Sequence, residues 1–76
     1  MAPAEPAADA GRIHCRLDEV LAEREMTLTE LSERVGVTVV NLSVLKNDRA
    51  RAIRFSTLTA MCDVLGCDVG DLLVTR

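Results

Sequence analysis

TLTELSERVGVTVVNLSVLK, residues 27–46, carries two helix starts separated by a short turn. Thr27 is followed three residues later by Glu30, the spacing at which a hydroxyl and a carboxylate each satisfy a free amide at a helix start. Leu28, Leu31 and Val35 then recur at spacings of three and four, which puts them on one helical face. Gly36 accepts left-handed backbone at no steric cost and stops that helix. Only Val37 separates it from a second cap, Thr38, and Leu42 and Leu45 mark the inward face of a helix over about 39–46. Two short helices around so tight a turn cross at a large angle, with the small Ser32 where their backbones approach. One face of the second helix is left protruding.

Working outward, Ile13, Leu17, Val20 and Leu21 recur at helical spacing and predict a helix over 12–24, after which Met26 turns the chain back into the core. Residues 1–11 are Ala/Pro-rich, without large periodic hydrophobes, and predict a disordered tail ahead of a single domain over 12–76. Downstream, residues 47–52 read as an extended, charged loop. Ser56 then caps a fourth helix that buries Leu58, Met61 and Leu65 and stops at Gly66. Asp68 and Asp71 bracket the start of a last short helix carrying Val69, Leu72 and Leu73. No strand signal exceeds the Val39–Val40 pair. The expectation is an all-α fold of five short helices packed into one compact globule.

Composition narrows the function. One Phe and no Trp or Tyr among 76 residues argue against a β-sandwich and against binding nucleic acid by aromatic stacking. The formal net charge is −3, yet Lys46, Arg49, Arg51 and Arg54 fall within nine residues opposed only by Asp48. Such a stretch is either a solvated loop or a clamp for phosphate, and its position directly after the helix pair favours the clamp. The three cysteines are an odd number. The start lacks the basic and apolar regions of a secretory leader, and no apolar run approaches the ~20 residues of a membrane span. These features read as free thiols in a reducing cytosol. His14, Cys15, Cys62 and Cys67 do not have zinc-type spacing, so no metal and no cofactor are expected. Catalysis has no support either: there is no Gly-rich phosphate loop, no nucleophile elbow and one His. Ser32, Ser43 and Ser56 are explained by packing, exposure and capping.

From about Arg16 to Leu73 the chain resembles the Cro and phage-repressor (XRE-like) family of helix-turn-helix regulators. The runs NLSVLKN, 41–47, and RARAIRFSTL, 49–58, are similar to a subgroup of small stand-alone members. The resemblance implies a five-helix, lambda-repressor-like DNA-binding domain whose helices 2 and 3 form the helix-turn-helix. It implies a recognition helix over 38–46 that enters the major groove, and homodimers on palindromic operators. It implies base-facing positions at Thr38, Val39, Val40, Asn41, Ser43 and Val44, and phosphate contacts from Lys46, Asn47, Arg49, Arg51 and Arg54. Many family members carry Gln, Arg or Lys where this chain has Leu28, Val39 and Val44, and Ala is usual at the place of Ser32.

That departure leaves Asn41 as the one side chain on the reading face suited to bidentate base recognition. The valines are then open to three readings: contacts to thymine methyls, an apolar patch with Leu28 for a protein partner or self-association, or ordinary surface valines. The expected function is sequence-specific duplex-DNA binding by a transcriptional regulator, a repressor or autoregulator, in the bacterial cytoplasm with the nucleoid. The alternative is a helix-turn-helix scaffold used mainly as a protein-interaction module, as in an antitoxin or co-regulator, with weak DNA binding.

Overall fold

Thr27 and Thr38 open the two helices of the quoted stretch. In the computed structural model, which describes residues 12–76, the Thr27 hydroxyl accepts from the Glu30 amide at 3.1 Å. The Thr38 hydroxyl does the same for the Asn41 amide, also at 3.1 Å. The residues expected to form a tail, 1–11, lie outside the described residues. In chain order the elements are β1 (Ile13–Cys15), α1 (Leu17–Arg24), α2 (Leu28–Val35), α3 (Val39–Lys46), α4 (Phe55–Leu65), α5 (Val69–Leu72) and β2 (Leu73–Thr75).

Only half of the expected capping box at Thr27 forms. The Glu30 carboxylate turns forward to Arg34 at 3.2 Å, the favourable i,i+4 order of acid before base on a helix surface. Gly36 holds φ 73°, and its amide returns to the Ser32 carbonyl at 3.0 Å. Ser32 does more than stay small, because its hydroxyl donates to the Val37 carbonyl across the turn. A carbonyl in a non-repeating turn is thereby satisfied without water.

The core is assembled from residues of every helix. Leu17 of α1, Leu31 of α2, Leu42 of α3, Met61 and Leu65 of α4 and Leu72 of α5 are all fully buried. Met26, Val35, Val37, Ile53 and Leu58 pack around them, half-buried. The five-helix, mostly helical fold agrees with the expectation.

Four details correct it. The helix expected from Arg12 begins at Leu17, because Ile13–Cys15 is a strand paired antiparallel with Leu73–Thr75, His14 opposite Val74. Bonds from the Arg16 amide to the Leu72 carbonyl (2.7 Å) and from the Arg76 amide to the Arg12 carbonyl (2.9 Å) bracket the ribbon. Leu73 accordingly belongs to β2 and not to the last helix. The spacing of Ile13 and Leu17 mimics a helical period, and a three-residue strand carries too few alternations to betray itself. Finally, α4 starts at Phe55 with Arg54 in the cap position, two residues ahead of the expected Ser56 cap.

Candidate nucleic-acid interface

Because Leu42 and Leu45 claim the inward side of α3, the other positions are forced outward. Val40 is 70% exposed and Val39 and Val44 are 38% exposed, large apolar side chains left to solvent on a short helix. Thr38 and Asn41 are exposed beside them, and Ser43 is half-buried. The Thr38 hydroxyl is already engaged as the helix cap. Leu28 differs from its expected partners in the apolar patch: it is half-buried and packs on the core.

The chain leaves α3 through a tight, bonded turn. The Asp48 amide reaches the Leu45 carbonyl at 3.1 Å and the Arg49 amide reaches that of Val44 at 2.9 Å. Asp48 itself sits at φ 61°, in the left-handed region, which Asp tolerates better than most residues. The following segment alternates: Ala50 and Ile53 pack against the core, while Arg49, Arg51 and Arg54 are exposed. Among the described residues none of these three arginines is engaged in a salt bridge, although Arg16, Arg24, Arg34 and Arg76 are. Asn47 is exposed at the end of α3. Lys46 stands apart from this group, since it pairs with Asp18 of α1 at 3.3 Å.

The helix face and the arginine segment share one groove of about 630 Å³. Thr38, Asn41 and Val44 line it together with Arg49, Arg51 and Arg54. Three guanidinium groups beside an exposed helix face make a surface that attracts a polyanion whose backbone runs alongside a readable groove.

Asp48 is the one carboxylate of the segment, and it is already occupied. Its Oδ1 accepts the Cys15 amide at 2.7 Å. Its Oδ2 lies 2.8 Å from His14 Nδ1 and 3.5 Å from an Arg76 guanidinium nitrogen. A carboxylate only accepts, so Nδ1 carries the His14 proton. The Cys15 amide, and then the His14 ring, hold the Asp48 carboxyl below the usual carboxylate range. Neither His14 nor Arg76 stood out as part of this region in the sequence, because they lie 34 and 28 residues from Asp48. Only the ribbon brings them there. The cysteines are free, and burial pushes the thiols of Cys15 and Cys67 up, which disfavours the nucleophilic thiolate. No helix among the described residues is long and apolar enough to cross a membrane.

Comparison with known proteins identifies the family. A regulator from Bacillus subtilis (strain 168), the uncharacterized HTH-type transcriptional regulator YozG, is 58% identical over 60 residues, covering 79% of this chain and 71% of that protein. The crystal structure of the transcriptional regulator VanUg superposes with a TM-score of 0.71 at 30% identity, over 86% of this chain and 85% of that one. The model of the Cro/C1-type HTH DNA-binding domain matches residues 16–76, and the chain therefore belongs to the Cro/C1-type helix-turn-helix DNA-binding family.

Proposed function

We propose that the chain is a non-enzymatic transcriptional regulator that binds duplex DNA sequence-specifically, with α3 in the major groove and the 49–54 segment on the flanking phosphates. The observation that carries this reading is the shared groove, lined by Thr38, Asn41 and Val44 of the helix and by Arg49, Arg51 and Arg54 of the segment after it. The major groove is wide enough for an α-helix, and it displays a distinct pattern for each base pair. Asn41 is the side chain for bidentate contact to adenine. Val39, Val40 and Val44 suit thymine methyls, so the preferred site is rich in A·T pairs at the helix. Asn47 and the three arginines supply affinity without sequence information. Lys46, tied to Asp18, joins them only by leaving that pair. The protein acts as a homodimer on a palindromic site, in the bacterial cytoplasm, and its DNA binding represses transcription.

The test is selection of bound sequences from a random duplex pool with the purified protein. An enriched A·T-containing palindrome supports both the readout and the two-fold symmetry. A pool that stays unenriched while bulk binding persists overturns sequence-specific recognition.

One observation favours a second reading. The exposed apolar side chains of Val39, Val40 and Val44 also suit a protein partner, which makes the scaffold an interaction module with weak DNA binding. Leu28, packed on the core, contributes little to such a patch.

A further inference from the structure

We propose that Asp48 is a positioning residue for DNA binding: its carboxylate straps the arginine segment 49–54 to the ribbon of β1 and β2 and so holds the phosphate contacts in place. The inference rests on the phosphate reading of Arg49, Arg51 and Arg54. Its basis is a set of bonds that converge on one side chain from elements remote in sequence. Oδ1 takes the Cys15 amide at 2.7 Å, Oδ2 takes His14 Nδ1 at 2.8 Å, and Arg76 lies 3.5 Å from Oδ2. The Cys15 amide faces away from β2, on the outer edge of β1, where no strand among the described residues accepts it. Asp48 closes that edge in place of a third strand. The residue holds this position at φ 61°, a conformation that glycine adopts more cheaply. The left-handed turn alone does not require Asp, whereas the two hydrogen bonds and the ion pair with Arg76 use both oxygens of its carboxylate. The turn is followed immediately by Arg49, so fixing Asp48 fixes where the segment leaves α3.

Charge and position predict opposite signs, which makes the role testable. A carboxylate beside a phosphate-binding segment repels DNA, so removing one by charge alone tightens binding. Removing a strap loosens the segment, and DNA must then order it at a cost in affinity.

The experiment compares wild type, Asp48→Gly, Asp48→Asn and Arg51→Ala on a mixed-sequence duplex over a range of salt. It is run at a temperature where circular dichroism shows all four folded. Asp48→Gly keeps the turn and deletes the carboxylate. It is expected to weaken binding roughly three- to tenfold and to lower the salt slope by up to about 0.9, one phosphate contact. Asp48→Asn keeps an oxygen for the Cys15 amide and recovers most of the loss. Hydrogen exchange of the Cys15 amide in the free protein reads the strap without DNA, and it is expected to accelerate at least fivefold in Asp48→Gly. Equal or tighter binding by Asp48→Gly with an unchanged slope, while Arg51→Ala lowers the slope, overturns the positioning role. Unchanged Cys15 exchange in Asp48→Gly overturns the strap itself, whatever the DNA result. An unchanged slope in Arg51→Ala overturns the phosphate reading, and this inference with it.

Discussion

Val44 and Asp48 are the two residues at which the readings of this surface separate. If Val44 touches a thymine methyl, Val44→Ala costs about 1 kcal/mol on a site with thymine there, within the usual 1–3 kcal/mol for one wrong base contact. The same change costs almost nothing when uracil replaces that thymine, because the methyl is gone. Titrating both proteins on both sites forms a double-mutant cycle. Zero coupling between valine and methyl would falsify the groove contact and shift weight to the protein-partner reading, for which Val44→Ala leaves DNA binding unchanged and Val44→Glu abolishes partner association. Asp48 makes a prediction in pH. Its carboxyl is held below its ordinary value in the folded chain, so its stabilising effect is full above the unfolded carboxylate range near pH 4. That effect is lost as pH falls through the lower folded value. Wild type is expected to be more stable than Asp48→Asn at neutral pH and to converge with it below about pH 4. Acid-unfolding curves that stay parallel down to the lowest pH would show that the three bonds add nothing to stability.

At the level of elements, the helix pair depends on caps and on one glycine. Thr27→Ala and Thr38→Ala each remove a hydroxyl that accepts a helix N-terminal amide. Each is expected to cost about 0.5–2 kcal/mol, read as a drop in thermal midpoint. An unchanged midpoint for Thr27→Ala would mean that Glu30, freed from Arg34, compensates. Gly36→Ala meets no steric neighbour, since nothing lies within 4 Å of an added Cβ. The residue sits at φ 73°, and the whole cost is therefore backbone strain, about 1 kcal/mol. Thr27 and Gly36 were legible in the sequence because caps and stops act within three or four residues. Ser32 was only half legible. Its small size suited the helix crossing, but its bond to the Val37 carbonyl depends on the path of the turn. Ser56, an ordinary cap residue, lost its place to Arg54 because Ile53 anchors the segment on the core and starts the helix earlier.

For the whole molecule the reserve of stability is small. A chain of this size buries a modest fraction of its surface, and native domains exceed their unfolded states by only 5–15 kcal/mol. Leu31→Ala empties the centre of the core, where that side chain is fully buried. It is expected to cost about 2–5 kcal/mol, a large share of that reserve. A midpoint within a few degrees of wild type would show that the core collapses to fill the space.

The residues of the two central helices, their caps, the turn between them and the inward leucines could all be read from the chain alone. Each rests on side chains within one or two turns of one another. The outward valines followed from the same periodicity, once Leu42 and Leu45 had taken the inward places, whereas the packing of Ala50 and Ile53 between the exposed arginines was visible only in the structure. The strand pair, the bond network of Asp48 and the diversion of Lys46 to Asp18 were not readable in this way. Ile13–Cys15 and Leu73–Thr75 are too short to show alternation, and a β-pairing between opposite ends of the domain has no local signature. Whether Asp48 opposes the neighbouring arginines or anchors them depends on which way its carboxylate faces, and long-range packing brings His14, Cys15 and Arg76 to it.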